Sequence, residues 1–82
     1  MGIVLCEKIE NAAMDMRDAY CGTLVELAKH DDRITLLDAD LMGAMGTKPF
    51  AKAFPEQTVD CGIQEANMVG VACGMSAVGK IP

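Results

Sequence analysis

Apolar residues in this chain fall in short blocks whose spacing switches between helical and strand-like. Asp15 can cap a helix, and Asp18 adds negative charge to its first turn, where the helix dipole favours it. Tyr20, Leu24, Leu27 and Ala28 then recur at i, i+4, i+7 and i+8, which is one helical face. Lys29 and His30 suit the last turn of that helix. Asp31-Asp32 predict a turn. Ile34-Thr35-Leu36-Leu37 is a short, apolar, partly β-branched run of the kind that forms a buried strand. Residues 38–46, Asp-Ala-Asp-Leu-Met-Gly-Ala-Met-Gly, read as a loop. Thr47 can cap a second helix that tolerates Pro49 in its first turn. Phe50, Ala51 and Phe54 form that helix's apolar face, and Pro55 marks its end. Thr58-Val59-Asp60-Cys61 predicts a second strand, broken by Gly62. A third helix is expected from about Glu65 to Val78, with Gly79 as its stop.

The order is therefore α-β-α-β-α, an α/β class. Strands separated by helices imply parallel pairing with right-handed crossovers. Such strands need helices on both faces of the sheet. Two strands are too few for a stable sheet. The third helix should lead into another strand, beginning near Gly79-Lys80-Ile81-Pro82. Residues 15–82 are expected to form an incomplete parallel-sheet domain, cut short, and residues 1–14 a weakly structured leader.

With 82 residues the chain is at most one domain. A domain of this size is marginal alone, because it buries only about 60% of its unfolded surface. The apolar content is mainly Ala, Val, Leu, Ile and Met, with Tyr20, Phe50 and Phe54 the only aromatics. That suits helices on a sheet better than a β-sandwich. A net charge of −5 with no basic cluster argues against nucleic acid and anionic membranes as partners. No apolar run reaches the roughly 18 residues that span a membrane. Cys6, Cys21, Cys61 and Cys73 form no Cys-x-x-Cys pair and lie far from His30, which argues against zinc. They read as reduced thiols of a cytoplasmic protein.

In an open parallel sheet, ligands bind beyond the carboxyl ends of the strands. Two loops lie there, 38–46 and 62–65, and both carry carboxylates. Asp38 and Asp40 suit a capped turn as well as a site. Gly43 to Gly46 lacks the spacing of a phosphate loop, so its glycines are expected to serve turn geometry. Gly70 and Gly74 share one face of the third helix and would permit close backbone packing. Arg17 gains nothing from the dipole at a helix start. Glu65 opens the third helix among Ile63, Met68 and Val69; a first-turn acid there suits the dipole, and it also suits a site.

The segments Arg-Asp-Ala-Tyr (17–20), Asp-Ala-Asp-Leu (38–41) and Gly-Ile-Gln-Glu (62–65), the last opening a small-residue helix, resemble the pyrimidine-binding domain of transketolases. The likeness covers about Asp15 to Pro82. It is strongest to enzymes made as separate amino-terminal and carboxy-terminal subunits. The resemblance implies thiamine diphosphate and a magnesium or calcium ion, and transfer of a two-carbon ketol unit between sugar phosphates in the pentose phosphate pathway. It puts the family's glutamate on Glu65, hydrogen-bonded to pyrimidine N1′ and favouring the imino form of the cofactor's 4′-amino group. It puts Asp40 and Leu41 near the cofactor, and Gly62 and Ile63 in the elbow before Glu65. Arg17 falls on an arginine that contacts the substrate phosphate. Ala44 departs from a serine that helps hold that phosphate, and Ala66 from a frequent His or Gln. The aromatic cofactor pocket and the diphosphate-metal motif are not in this sequence. The implied partner is thus an amino-terminal, diphosphate-binding subunit that holds the metal, in a homo- or hetero-oligomer. Activity from this chain alone is not expected. Deoxyxylulose-phosphate synthase and the 2-oxo-acid dehydrogenase E1 β-type domain share the layout and fit less well. A reading from a different class is a non-catalytic assembly or regulatory part, motivated by the glycine-lined third helix.

Overall fold

The computed structural model describes residues 2–82. Residues 2–15 contain no helix or strand. Helix α1 (Met16–Ala28) begins where Asp15 accepts a hydrogen bond from the Arg17 N–H, 2.8 Å away. The helix stops at Ala28, so Lys29 is its cap and His30 lies in the following turn rather than in the helix. Strand β1 (Leu36–Asp38) sits two residues later than Ile34. A single turn of helix, α2 (Met42–Met45), occupies the segment expected to be loop, and Gly46 ends it at φ 70°. Helix α3 (Lys48–Ala53) and a 3-10 turn at Pro55–Gln57 precede strand β2 (Thr58–Asp60). Helix α4 (Glu65–Ala77) closes with Val78 as cap and Gly79 at φ 93°.

The two strands pair in parallel, with Leu36, Leu37 and Asp38 opposite Thr58, Val59 and Asp60. On the other edge of β1, Ile34 bridges Ile81 in parallel. The Ile81 N–H donates to the Arg33 carbonyl at 2.8 Å, and the Thr35 N–H donates to the Ile81 carbonyl at 3.0 Å. The segment expected to begin a strand at 79–82 thus makes an isolated parallel bridge, two residues ahead of β1. Because a strand's backbone groups alternate in direction, the odd positions Arg33 and Thr35 face Ile81, while the Asp38 carbonyl accepts from Cys61 on the β2 side.

The core is small. Cys21, Ala28, Leu36 and Phe50 are buried, and Leu24, Val25, Ile34 and Phe54 pack against them. The Phe50 and Phe54 rings stack 5.3 Å apart at 42°, within the range aromatic pairs favour. The buried face of α1 is therefore Cys21, Leu24, Val25 and Ala28, at i, i+3, i+4 and i+7. This corrects the expected stripe: Leu24 and Ala28 belong to it, whereas Tyr20 and Leu27 stay about half exposed. Those two line an apolar groove of about 420 Å³ with Leu37, Met68, Val69 and Ile81. The cause is that α1 has apolar residues on two adjacent faces, and only one meets α3.

Helix α4 is apolar on all sides yet buries no residue completely. Gly70 and Gly74 touch nothing: a Cβ at either would meet open space. The close packing expected at these glycines is absent among the described residues. Of the described helices, none is long and apolar enough to cross a membrane.

Candidate functional site

Two carboxylates organise the carboxyl edge of the sheet. Asp38 is the last residue of β1 and is buried. Its Oδ1 accepts from the Leu41 N–H, an i to i+3 bond that starts α2. Asp60 is its register partner at the end of β2. Asp60 Oδ1 accepts from the Gly62 N–H at 2.9 Å and from the Asp40 N–H at 3.0 Å. Like charges on adjacent strands repel, and three N–H donors offset that repulsion here.

The chain bends sharply after each strand. Asp40 is the only described non-glycine residue with positive φ, at 62°. That conformation costs an L-residue roughly 1–2 kcal/mol, least for Asp and Asn. Gly62 does the same after β2 at φ 71°, where glycine bears no Cβ penalty. Gln64, the N-cap of α4, offers no side-chain capping bond, so Glu65 begins a helix whose first N–H groups are uncapped by that side chain.

The two loops meet. A cavity of about 150 Å³ is lined by Leu41 from the first loop and Glu65 from the start of α4. Tyr20, Leu36, Leu37, Met45 and Met68 make its wall largely apolar, and Asp38 and Thr47 add polar atoms. Glu65 is solvent-exposed and lines this cavity from the first turn of α4, a place its sequence neighbours left open. The lack of packing over α4 explains the exposure. Thr47 stands at the cap position of α3 but makes no capping bond, and its Oγ1 is buried without a partner.

The other predicted residues fall around this cavity rather than in it. Asp40 and Gly62 are joined through Asp60. Ile63 projects outward, 72% exposed. Arg17 is engaged elsewhere: its Nε and Nη2 donate to Asp15, and Nη1 donates to the Ala44 carbonyl at 3.0 Å. The hydrogen bonds from Arg17 hold the Asp15 carboxyl below the usual carboxylate range. Arg17 thereby ties the start of α1 to the end of α2, where Gly46 lies so close that a Cβ would come 3.3 Å from Arg17 Cβ. Sequence reasoning missed Asp60 as a site residue. The available signal was its place next to last in the predicted strand, two residues before a glycine elbow.

A carboxyl on the rim of a small apolar cavity can meet one nitrogen of a flat heteroaromatic ring whose body is covered by hydrocarbon. The donor set fits such a group. Among the described residues, no three His, Cys, Asp or Glu side chains gather as a metal site.

Comparison with known proteins identifies the family. Residues 12–82 match the family model for the transketolase pyrimidine binding domain. The chain is 52% identical over 67 residues to the 6-deoxy-6-sulfo-D-fructose transketolase subunit SqwH of Clostridium sp. strain MSTE9, covering 82% of this chain and 21% of that protein. It is 43% identical over 74 residues to a protein of Methanocaldococcus jannaschii named as a transketolase C-terminal section, covering 90% and 23%. It is 39% identical over 66 residues to a 1-deoxy-D-xylulose-5-phosphate synthase of Thermomicrobium roseum, covering 80% and 10%. The chain thus spans about a fifth of the length of the two transketolase relatives. With residues 12–82 matched by that family model, and with helices alternating with parallel strands, the chain belongs to the transketolase pyrimidine binding domain family.

Proposed function

We propose that this chain is the pyrimidine-binding part of a thiamine-diphosphate-dependent transketolase that moves a two-carbon ketol unit between sugar phosphates. The observation that carries the reading is Glu65, at the first position of α4, on the rim of the same apolar cavity as Leu41. When bound, thiamine diphosphate supplies the nucleophilic carbon that takes up and passes on the ketol unit. Glu65 would share a proton with a ring nitrogen of the aminopyrimidine, and Leu41, Met45 and Met68 would cover the ring and keep water away. Arg17 lies at the edge of this region, where its guanidinium could exchange Asp15 for a substrate phosphate. The words "subunit" and "C-terminal section" in the names of the relatives support an amino-terminal partner that completes the enzyme.

The test is to assemble the chain with such a partner, thiamine diphosphate and magnesium, and follow ketol transfer from a ketose phosphate. Glu65→Gln is expected to lower turnover by about 10²–10⁴, the span of general acid–base catalysis. Turnover within a factor of two of the parent would sink the reading.

A second reading is a non-catalytic assembly part. It is favoured by α4, an apolar helix that meets β1 on one face and leaves Val69, Gly70 and Gly74 exposed, since such helices are ordinarily buried. Partner binding that survives Glu65→Gln in an assembly without ketol transfer from the parent chain would favour it.

A further inference from the structure

We propose that Asp60 is a positioning residue that sets the two site loops against each other. One oxygen does this. Asp60 Oδ1 accepts from the Gly62 N–H in its own strand's exit and from the Asp40 N–H in the exit of the neighbouring strand. Both N–H groups belong to residues with positive φ, Asp40 at 62° and Gly62 at 71°. Such bends persist only where surrounding contacts hold them. Leu41 follows Asp40 directly, and Glu65 lies three residues after Gly62. Both line the same cavity, while Asp60 does not. The carboxylate therefore ties together the loops that carry Leu41 and Glu65, without itself lining the cavity.

The residue type suits the task. The oxygen must reach forward two residues along its own chain and sideways one strand, a distance of about 4.8 Å. A short side chain with a fixed sp² oxygen does both. Asn keeps that acceptor; Ala removes it. Asp38, the register partner, does the companion task inside its own loop on the Leu41 N–H, so the two carboxylates divide three loop donors between them. The inference rests on the reading of Glu65 and Leu41 as the cofactor side, and extends it to how their spacing is kept.

The experiment uses the full ¹⁵N-labelled chain with Asp60→Ala and Asp60→Asn. Amide exchange at Asp40 and Gly62 is read against amides in α1. The same variants are then assembled with the completing amino-terminal subunit, and thiamine diphosphate binding is measured by calorimetry. In Asp60→Ala, exchange at the two loop amides should rise roughly three- to tenfold, the worth of a typical hydrogen bond, with α1 unchanged. The cofactor Kd should weaken by a similar factor, and Asp60→Asn should restore both readouts. Unchanged loop amides in Asp60→Ala overturn the proposal. So does faster exchange with an unchanged cofactor Kd, which would make the tie merely structural. If Asp60→Ala does not fold, Asp60→Asn still decides: loosened loop amides beside protected α1 amides overturn it. Full turnover in Glu65→Gln overturns the functional reading instead, and the amide arm still decides the tie.

Discussion

Asp15 and Asp31 each use one carboxylate twice, on the N–H two residues ahead and on that residue's guanidinium. The Asp31 carboxyl is lowered from 3.8 to about 2, chiefly by the side-chain hydrogen bond from Arg33 and then by its backbone N–H. A carboxyl depressed on folding contributes stability that is complete above its unfolded pKa and is lost as pH falls through the folded value. The contribution of the turn at 31–33 should therefore be whole above 3.8 and be lost as pH falls from there through about 2. A carboxyl-carbon titration should place Asp31 near 2, and Arg33→Met should return it toward 3.8. An unmoved midpoint in Arg33→Met would assign the shift to something else. At the start of α1, Asp15→Ala should expose the Arg17 amide to fast exchange while Asp15→Asn protects it. Equal protection in both variants would mean that the cap is not needed. Asp15 as a cap was legible from residue type alone. The same Asp's hold on Arg17, and Arg17's reach across 27 positions to Ala44, were not, because they depend on where α2 ends.

At the scale of elements, the chain's punctuation was readable and its partnerships were not. Pro55, Gly62 and Gly79 stop or turn the chain where expected, since each acts through its own backbone. The apolar stripe of α1 was only half right. Periodicity marks which residues are apolar, while burial depends on which face α3 meets. The one-turn helix α2 was missed because its four residues carry no periodic signal and it has no side-chain cap that the sequence could announce. Helix α4 shows the same split: its ends were legible, but its glycine face packs on nothing among the described residues. Gly70→Ala and Gly74→Ala should each stabilise α4 in this chain by up to about 1 kcal/mol, since helical alanine is favoured over glycine by that amount. Thermal melts followed by far-ultraviolet circular dichroism would check this. A loss of helix in either variant would show that something does pack there.

The whole molecule exposes more surface than its mass calls for. Its accessible area is 6329 Å², against about 4,700 Å² for a compact folded chain of 8.7 kDa. Its radius of gyration is 15.3 Å, against about 12 Å for a compact domain of this length. With so few buried residues, stability concentrates in Phe50, which is wholly enclosed. Phe50→Ala should cost about 3–5 kcal/mol, enough to unfold a marginal domain. Urea titration would measure it, and a cost below about 1 kcal/mol would mean the core is organised elsewhere.

By itself the sequence determined what local chemistry determines. Helix ends, strand segments, the glycine elbow before Glu65 and the parallel α/β order all follow from side chains acting on their own backbone. The motif residues that carry the family likeness lie in that same local record. Only the tertiary structure decided which face of α1 is buried, that Leu41 and Glu65 share a cavity, and that Arg17 reaches Ala44. It alone showed Asp60 as the tie between two loops, because that bond joins residues 20 positions apart through the register of two parallel strands. Spacing along a chain cannot state a register; backbone hydrogen bonds between strands do.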